Sequence, residues 1–159
     1  MKSEYLQVIA LIERLHRQFL EVVKNELERL GVQDINNVQA LILYNIGDDE
    51  MTVGELTARG YYLGSNVSYN VRKMVENGYL VQERSTHDRR SLRVRLPEKG
   101  IALYRDLDEM FRRHVEDLES GFALSEELKV ANKALNRLER FWISALNFGL
   151  RARPLAAAD

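Results

Sequence analysis

The sequence predicts a mainly α-helical fold that carries one small β-hairpin, and three observations predict it. Long stretches at both ends repeat apolar residues at three- and four-residue steps, the period of a helix with one buried face. Between them, glycines cut the chain into short segments of helix length. One of these segments is followed by residues 78–100, in which Leu92-Arg93-Val94-Arg95-Leu96 alternates as a half-buried strand does. That alternation predicts Leu92, Val94 and Leu96 toward a core, with Arg93 and Arg95 sharing the solvent face.

The first helix spans residues 3–30, where Tyr5, Val8, Ile9, Ile12, Leu15, Phe19, Val22 and Leu30 keep the helical step and Gly31 follows as a stop. Leu6, Leu11, Leu20, Val23 and Leu27 widen the stripe beyond what one neighbour would cover, which suggests contact with a second chain as well as with the rest of the fold. A monomer that buries the whole stripe is the competing reading. A second helix near residues 37–45 carries Val38, Leu41, Ile42 and Tyr44, and ends near Gly47 before Asp48-Asp49-Glu50. Thr52 stands three residues ahead of Glu55, the spacing of a capping box, so a short helix starts there and runs to about Arg59 before Gly60. After Tyr61-Tyr62-Leu63-Gly64, another short helix fits residues 65–77, closed by Gly78 where a left-handed residue is needed.

Two short helices joined by a glycine-containing turn make a helix-turn-helix, and the hairpin after them makes it winged. Pro97 suits the first position of a helix whose apolar residues, from Ile101 to Leu118, run to about Ser120. Gly121-Phe122-Ala123-Leu124 forms a turn, and Ser125 with Glu126 and Glu127 starts a last helix striped by Leu128, Leu135, Leu138, Phe141, Trp142, Ala145 and Phe148. The expected order is α-α-α-α-β-β-α-α. Residues 36–96 form the winged helix-turn-helix lobe, 1–35 and 97–150 a helical dimerisation region, and 151–159 a loose tail.

A formal charge of −1 conceals a polarised chain. Residues 52–96 hold eight Lys/Arg against four Asp/Glu, a local excess of four, which leaves −5 elsewhere. A basic face on an acidic body directs a polyanion to one surface. Arg89, Arg90, Arg93 and Arg95 crowd one hairpin, and counterion release from nucleic acid would offset their repulsion. A soluble edge strand protected by charge is the plainer alternative.

Enzymatic classes find little to stand on. The three histidines are scattered at 16, 87 and 114, there is no cysteine, and the Gly-rich phosphate loop, His-Glu-x-x-His and nucleophile-elbow patterns are all missing. No catalytic residue, metal or cofactor is therefore expected. No apolar run reaches the length of a membrane span, so a cytoplasmic protein without membrane contact is expected.

On the 65–77 helix, Val67, Val71 and Met74 share one face, which puts Ser65, Asn66, Tyr69, Arg72, Lys73 and Glu76 on the other. That second face is a candidate base reader. Arg72 suits bidentate pairing with guanine and Asn66 with adenine, Tyr69 could touch a thymine methyl, and Ser65 or Ser68 could hold phosphate near the helix N-terminus. A solvated helix face is the alternative for Arg72 and Lys73. A winged-helix module that binds protein instead of DNA would have little use for these cations on the side of the wing arginines.

Over nearly its whole length the chain resembles MarR-family transcriptional regulators. Asp88-Arg89-Arg90, Val94-x-Leu96 and Glu98-Lys99-Gly100 match that family's wing signature, and Val67-Ser68 with Val71, Met74 and Gly78 match its recognition-helix spacing; Pro97 departs from it, replacing the usual threonine. A narrower similarity, to LdtR-like α-proteobacterial regulators, lies in residues 9–17 and 60–70. The resemblance implies a homodimer on double-stranded DNA, reading a pseudo-palindrome with one recognition helix per major groove. It implies Arg90 in the minor groove, oriented by Asp88, with Arg89 and Arg93 on flanking phosphates. It also implies a small aromatic effector, for which His16, Phe19, Tyr44, Tyr61 and Tyr62 are candidate pocket residues, with His114 nearby. The same aromatics suit ordinary core. The narrower similarity implies control of L,D-transpeptidase and stress genes.

Overall fold

A computed structural model describes residues 1–60, 64–88, 90–121 and 125–148, without the side chains of Ser65 and Phe148. Six helices and three short strands follow in the order α1 (Lys2–Arg29), α2 (Asn37–Ile46), β1 (Met51–Thr52), α3 (Val53–Gly60), α4 (Gly64–Glu76), β2 (Val81–Arg84), β3 (Leu92–Arg95), α5 (Glu98–Gly121) and α6 (Ser125–Phe148). The fold is thus mainly helical with a small sheet, as the periodicity predicts. The expected tail and the 122–124 turn lie outside the described residues.

The helix ends follow from local chemistry. At α2, the Asn36 side chain accepts from the Gln39 amide at 2.8 Å, while the Gln39 side chain accepts from the Asn36 amide at 3.1 Å. At α3, the Thr52 hydroxyl accepts from the Glu55 amide at 3.1 Å and the Glu55 carboxylate from the Thr52 amide at 2.8 Å, the predicted capping box. At the end of α4, Gly78 has φ +78°, and the Tyr79 amide turns back to the Met74 carbonyl at 2.9 Å. Pro97 sits one position earlier than expected. Its carbonyl accepts from the Ile101 amide at 2.9 Å, so it caps α5 instead of being its first residue.

The sheet corrects the expected order by one strand. β1 pairs antiparallel with β3 through Met51↔Val94 and Thr52↔Arg93, giving the order β1-β3-β2. Two residues beside an acidic turn carry no period, so pattern alone missed them. The predicted alternation holds for Val94 and Leu96, which are buried, but Leu92 is 43% exposed. Leu92 stands at the start of β3 and pairs with Arg84, at the loop end of the hairpin and away from the core.

Two compact units divide the chain, Met1–Phe111 and Arg112–Asp159. In the first, Val23 and Leu27 of α1 join Ile42, Leu43 and Ile46 of α2, Leu56 of α3, Val67, Val71 and Met74 of α4, Val94 of β3 and Leu103, Leu107 and Met110 of α5 in one core. The core around α2, α3, α4 and β3 is therefore completed by the C-terminal end of α1 and residues 103–110 of α5. Each such side chain, fully buried, contributes about 1.5–3 kcal/mol before entropy is counted. The N-terminal turns of α1 behave differently: Leu6, Val8, Leu11 and Leu15 are exposed. In the second unit, Val115 on α5 and Leu128, Val130, Leu135, Phe141 and Leu146 on α6 are exposed.

Candidate nucleic-acid interface

Helix α4 presents the two faces that its spacing predicts. Val67, Val71 and Met74 are buried at 2% exposure or less, while Asn66, Ser68, Tyr69 and Arg72 are exposed and Lys73 is half-buried. The Arg72 guanidinium carbon lies 5.9 Å from the centroid of the Tyr69 ring, one helical turn back. Lys73 is engaged along its own helix. Its Nζ donates to Glu76 Oε2 at 2.9 Å, and that carboxylate raises the lysine pKa.

The wing is a hairpin in which Arg84 faces Leu92 and the loop between them closes with the Ser85 amide on the Ser91 carbonyl at 2.9 Å. Inside the loop, the Ser91 amide donates to the Asp88 carbonyl and the Arg90 amide to Asp88 Oδ1, both at 3.0 Å. Asp88 therefore grips Arg90 by its backbone, where a pair with the guanidinium was expected. Arg90 is thus exposed on a turn braced through its backbone.

The hairpin arginines do not all serve one purpose. Arg93 donates from Nη2 to the Glu50 carbonyl at 2.9 Å and places Nε 3.3 Å from the Glu50 carboxylate, tying the wing to the turn before β1. Arg95 pairs with Glu83 of the neighbouring strand at 3.0 Å. Their charges are matched, which removes much of the repulsion that the sequence suggests. By contrast, Arg72, Arg84 and Arg90 have no carboxylate partner among the described residues. Arg89 lies outside those residues, and so does the side chain of Ser65.

Arg72 and Arg90 line the same cleft. It holds about 500 Å³ and is lined by Thr52 of β1, Gly54 of α3, Ser68 and Arg72 of α4, and Arg90 and Leu92 of the wing. Gln82 of β2 also faces it. Sequence reasoning missed Thr52, Gly54 and Gln82 as lining residues: Thr52 and Gly54 reach the wing because β1 pairs with β3, and Gln82 stands on β2 of the wing itself. A cleft lined by two arginines without a carboxylate partner among the described residues, and by the hydroxyl-bearing Thr52, Ser68 and Ser91, is suited to a phosphate-bearing strand or groove edge.

The effector candidates are placed less favourably. Phe19 stacks on Phe111 at 5.9 Å between ring centroids, and Tyr44 lies 4.8 Å from Phe111 and 5.0 Å from Tyr104. The Tyr44 hydroxyl donates to Asp108 at 2.9 Å; burial first and this carboxylate second push its pKa up to about 12, so it stays a phenol. These rings fill space with one another. His16 is exposed on α1, whereas Tyr61 and Tyr62 lie outside the described residues. Among the described residues no group of three or more His, Asp or Glu could hold a metal ion, and no helix is long and apolar enough to cross a membrane.

Comparison with known proteins places the chain and its fold. Residues 33–91 match the family model described as MarR family. The exopolysaccharide II synthesis transcriptional activator ExpG of Rhizobium meliloti (strain 1021) is 37% identical over 146 residues, covering 92% of this chain and 75% of that protein. Streptococcus pneumoniae FabT, solved in complex with DNA, superposes with a TM-score of 0.72 at 21% identity, over 88% of this chain and 98% of FabT. The transcriptional regulator BldR from Sulfolobus solfataricus gives a TM-score of 0.69 at 25% identity, over 84% of this chain and 96% of BldR.

Proposed function

The chain belongs to the MarR family, and from that membership we propose that it acts as a homodimer that reads a pseudo-palindromic operator through α4 and the wing. It is a DNA-binding transcriptional regulator, not an enzyme. The observation that carries the finer reading is the cleft shared by Arg72 and Arg90, whose guanidinium groups lack carboxylate partners among the described residues. In this reading Arg72 approaches a guanine edge in the major groove, with Asn66 and Tyr69 beside it. Arg90 enters the flanking minor groove, Ser65, Ser68 and Lys73 hold the backbone, and Arg89 adds a phosphate contact. Arg93 acts through its tie to Glu50, holding the wing at its height.

Dimerisation is supported by the exposed apolar residues of α1, since two half-sites one helical turn apart require two copies. Control of cell-surface polymer genes is the proposed output. It is supported by the naming of the Rhizobium relative for exopolysaccharide synthesis. Modulation by a small aromatic ligand rests on family resemblance alone. The proposed place of action is the cytoplasm, where the operator is.

Selection from a pool of random duplexes by the purified protein tests the reading. Enrichment of an inverted repeat bound by two chains is expected; a bound pool with no sequence preference would sink it.

A further inference from the structure

The structure assigns to Gln39 and Asn70 the task of setting where the reading helix stands, an assignment that rests on α4 being that helix. Gln39 is 7% exposed in the first turn of α2, and Asn70 stands halfway along α4. The Asn36 amide can only donate, and it donates to Gln39 Oε1 at 3.1 Å. The Gln39 carboxamide therefore has one workable orientation, with Nε2 aimed at α4. There Nε2 donates to Asn70 Oδ1 at 3.1 Å, which turns Asn70 Nδ2 onto the Asn66 carbonyl at 2.9 Å. Donors run in one direction, from the cap of α2 to the first turn of α4.

Apolar packing of Val67, Val71 and Met74 holds α4 on the core, yet such contacts tolerate small slides and rotations. A directional hydrogen bond through a buried amide does not. The second bond on the Asn66 carbonyl also biases the local helix geometry. The turn fixed in this way carries Asn66, Ser68 and Tyr69, with Arg72 two residues beyond Asn70. Gln39 and Asn70 touch no base. They are positioning residues, and they should govern discrimination between sequences while leaving the sequence-independent charge contacts alone.

The test compares binding to the duplex selected by the wild-type protein with binding to the unselected random pool, each over a salt titration. Gln39→Met combined with Asn70→Leu replaces both side chains by apolar groups of similar size, so neither leaves the other's amide stranded, and the Asn36 amide at the cap of α2 loses its side-chain acceptor. This double variant should melt cooperatively and bind random duplex with the wild-type affinity and salt slope. Its preference for the selected duplex should fall roughly tenfold, the equivalent of about 1.4 kcal/mol. Asn70→Ser, which keeps a hydroxyl for the Asn66 carbonyl but cannot reach Gln39, supplies the same comparison if the double variant does not fold. Full wild-type preference in a folded variant overturns the assignment. A wild-type protein that selects no sequence overturns the reading beneath it as well.

Discussion

Asp34 and Tyr79, separated by 45 positions, are joined by a 2.5 Å hydrogen bond in which the phenol donates to the carboxylate. Lys99 closes the arrangement: Nζ donates to the other Asp34 oxygen at 2.7 Å and to the Asn77 carbonyl at 2.8 Å, and lies 4.2 Å from the centre of the Tyr79 ring. The loop before α2, the end of α4 and the first turn of α5 thus meet at one carboxylate. Helix α4 is pinned at its C-terminal end here, as Gln39 holds it through Asn70 at its middle.

This junction should respond to acid. The bonds from Lys99 and then Tyr79 hold the Asp34 carboxyl below its ordinary value. A carboxylate whose folded pKa is lowered adds stability that is fully present above the unfolded pKa of about 3.9 and is lost as pH falls through the folded value. Both side chains of the ion pair are about half exposed, so water screens it. Asp34→Asn should cost about 1 kcal/mol at pH 7, a fall of roughly 2–4 °C in Tm. Melting curves from pH 7 to pH 3 should show this gap closing toward the acid end. A constant gap would mean that the Asp34 charge contributes nothing.

The start of α5 supplies a second test. A Cβ on Gly100 would run into the Tyr79 carbonyl oxygen and crowd Leu96, whereas a Cβ on Gly121 of the same helix meets nothing within 4 Å. Gly100→Ala should therefore destabilise by roughly 1–3 kcal/mol or more, as overpacking does. Gly121→Ala should be neutral or stabilise by up to about 1 kcal/mol through helix propensity. Chemical denaturation of the two variants reads the difference. Equal stabilities would show that α5 shifts freely on Tyr79.

Three arginines near the cleft should separate by salt dependence. Arg90 has no carboxylate partner among the described residues, so Arg90→Ala should weaken binding to all duplexes and reduce the salt slope by about 1. Arg72→Ala should cost about 1–3 kcal/mol at the selected site and relax preference at one base position. Arg93 is matched by Glu50, so Arg93→Met should lower affinity while leaving the slope nearly unchanged. Titrations from 50 to 200 mM salt make the comparison. Loss of slope in the Arg93 variant would place its charge on a phosphate instead of on Glu50.

Much of this architecture is legible in the sequence where one local rule decides the outcome. Thr52 with Glu55 and Gly78 after α4 did so for helix ends, and the spacing of Val67, Val71 and Met74 did so for the buried face. What escaped depends on partners distant in sequence. β1 exists only because β3 lies beside it, and Leu92 is exposed because the hairpin outruns the core at that point. Nothing in the spacing of the wing arginines shows that Glu50 and Glu83 hold two of them. The capping box of Asn36 and Gln39 was not singled out in the sequence, and the link from Gln39 to Asn70 spans 31 positions and has no pattern.

The exposed residues of α1 give the last expectation. Leu15 is 52% exposed and Leu11 45%, so neither is required by the core of its own protomer. In a two-fold symmetric interface a residue counts twice, once from each copy. Burying a Leu fully is worth about 1.5–3 kcal/mol, and the exposed half of Leu15 in both copies together roughly the same. Leu15→Asp removes that gain and adds a buried charge, so it should raise the dimer dissociation constant by at least roughly thirtyfold, for a loss of about 2 kcal/mol. Helical circular dichroism should be unchanged, since the side chain supports little within its protomer. Light scattering across a dilution series should find a monomer where the wild-type protein is a dimer, and operator affinity should fall because each half-site is then bound singly. A Leu15 variant that remains dimeric to the same dilution would move the interface off this face of α1.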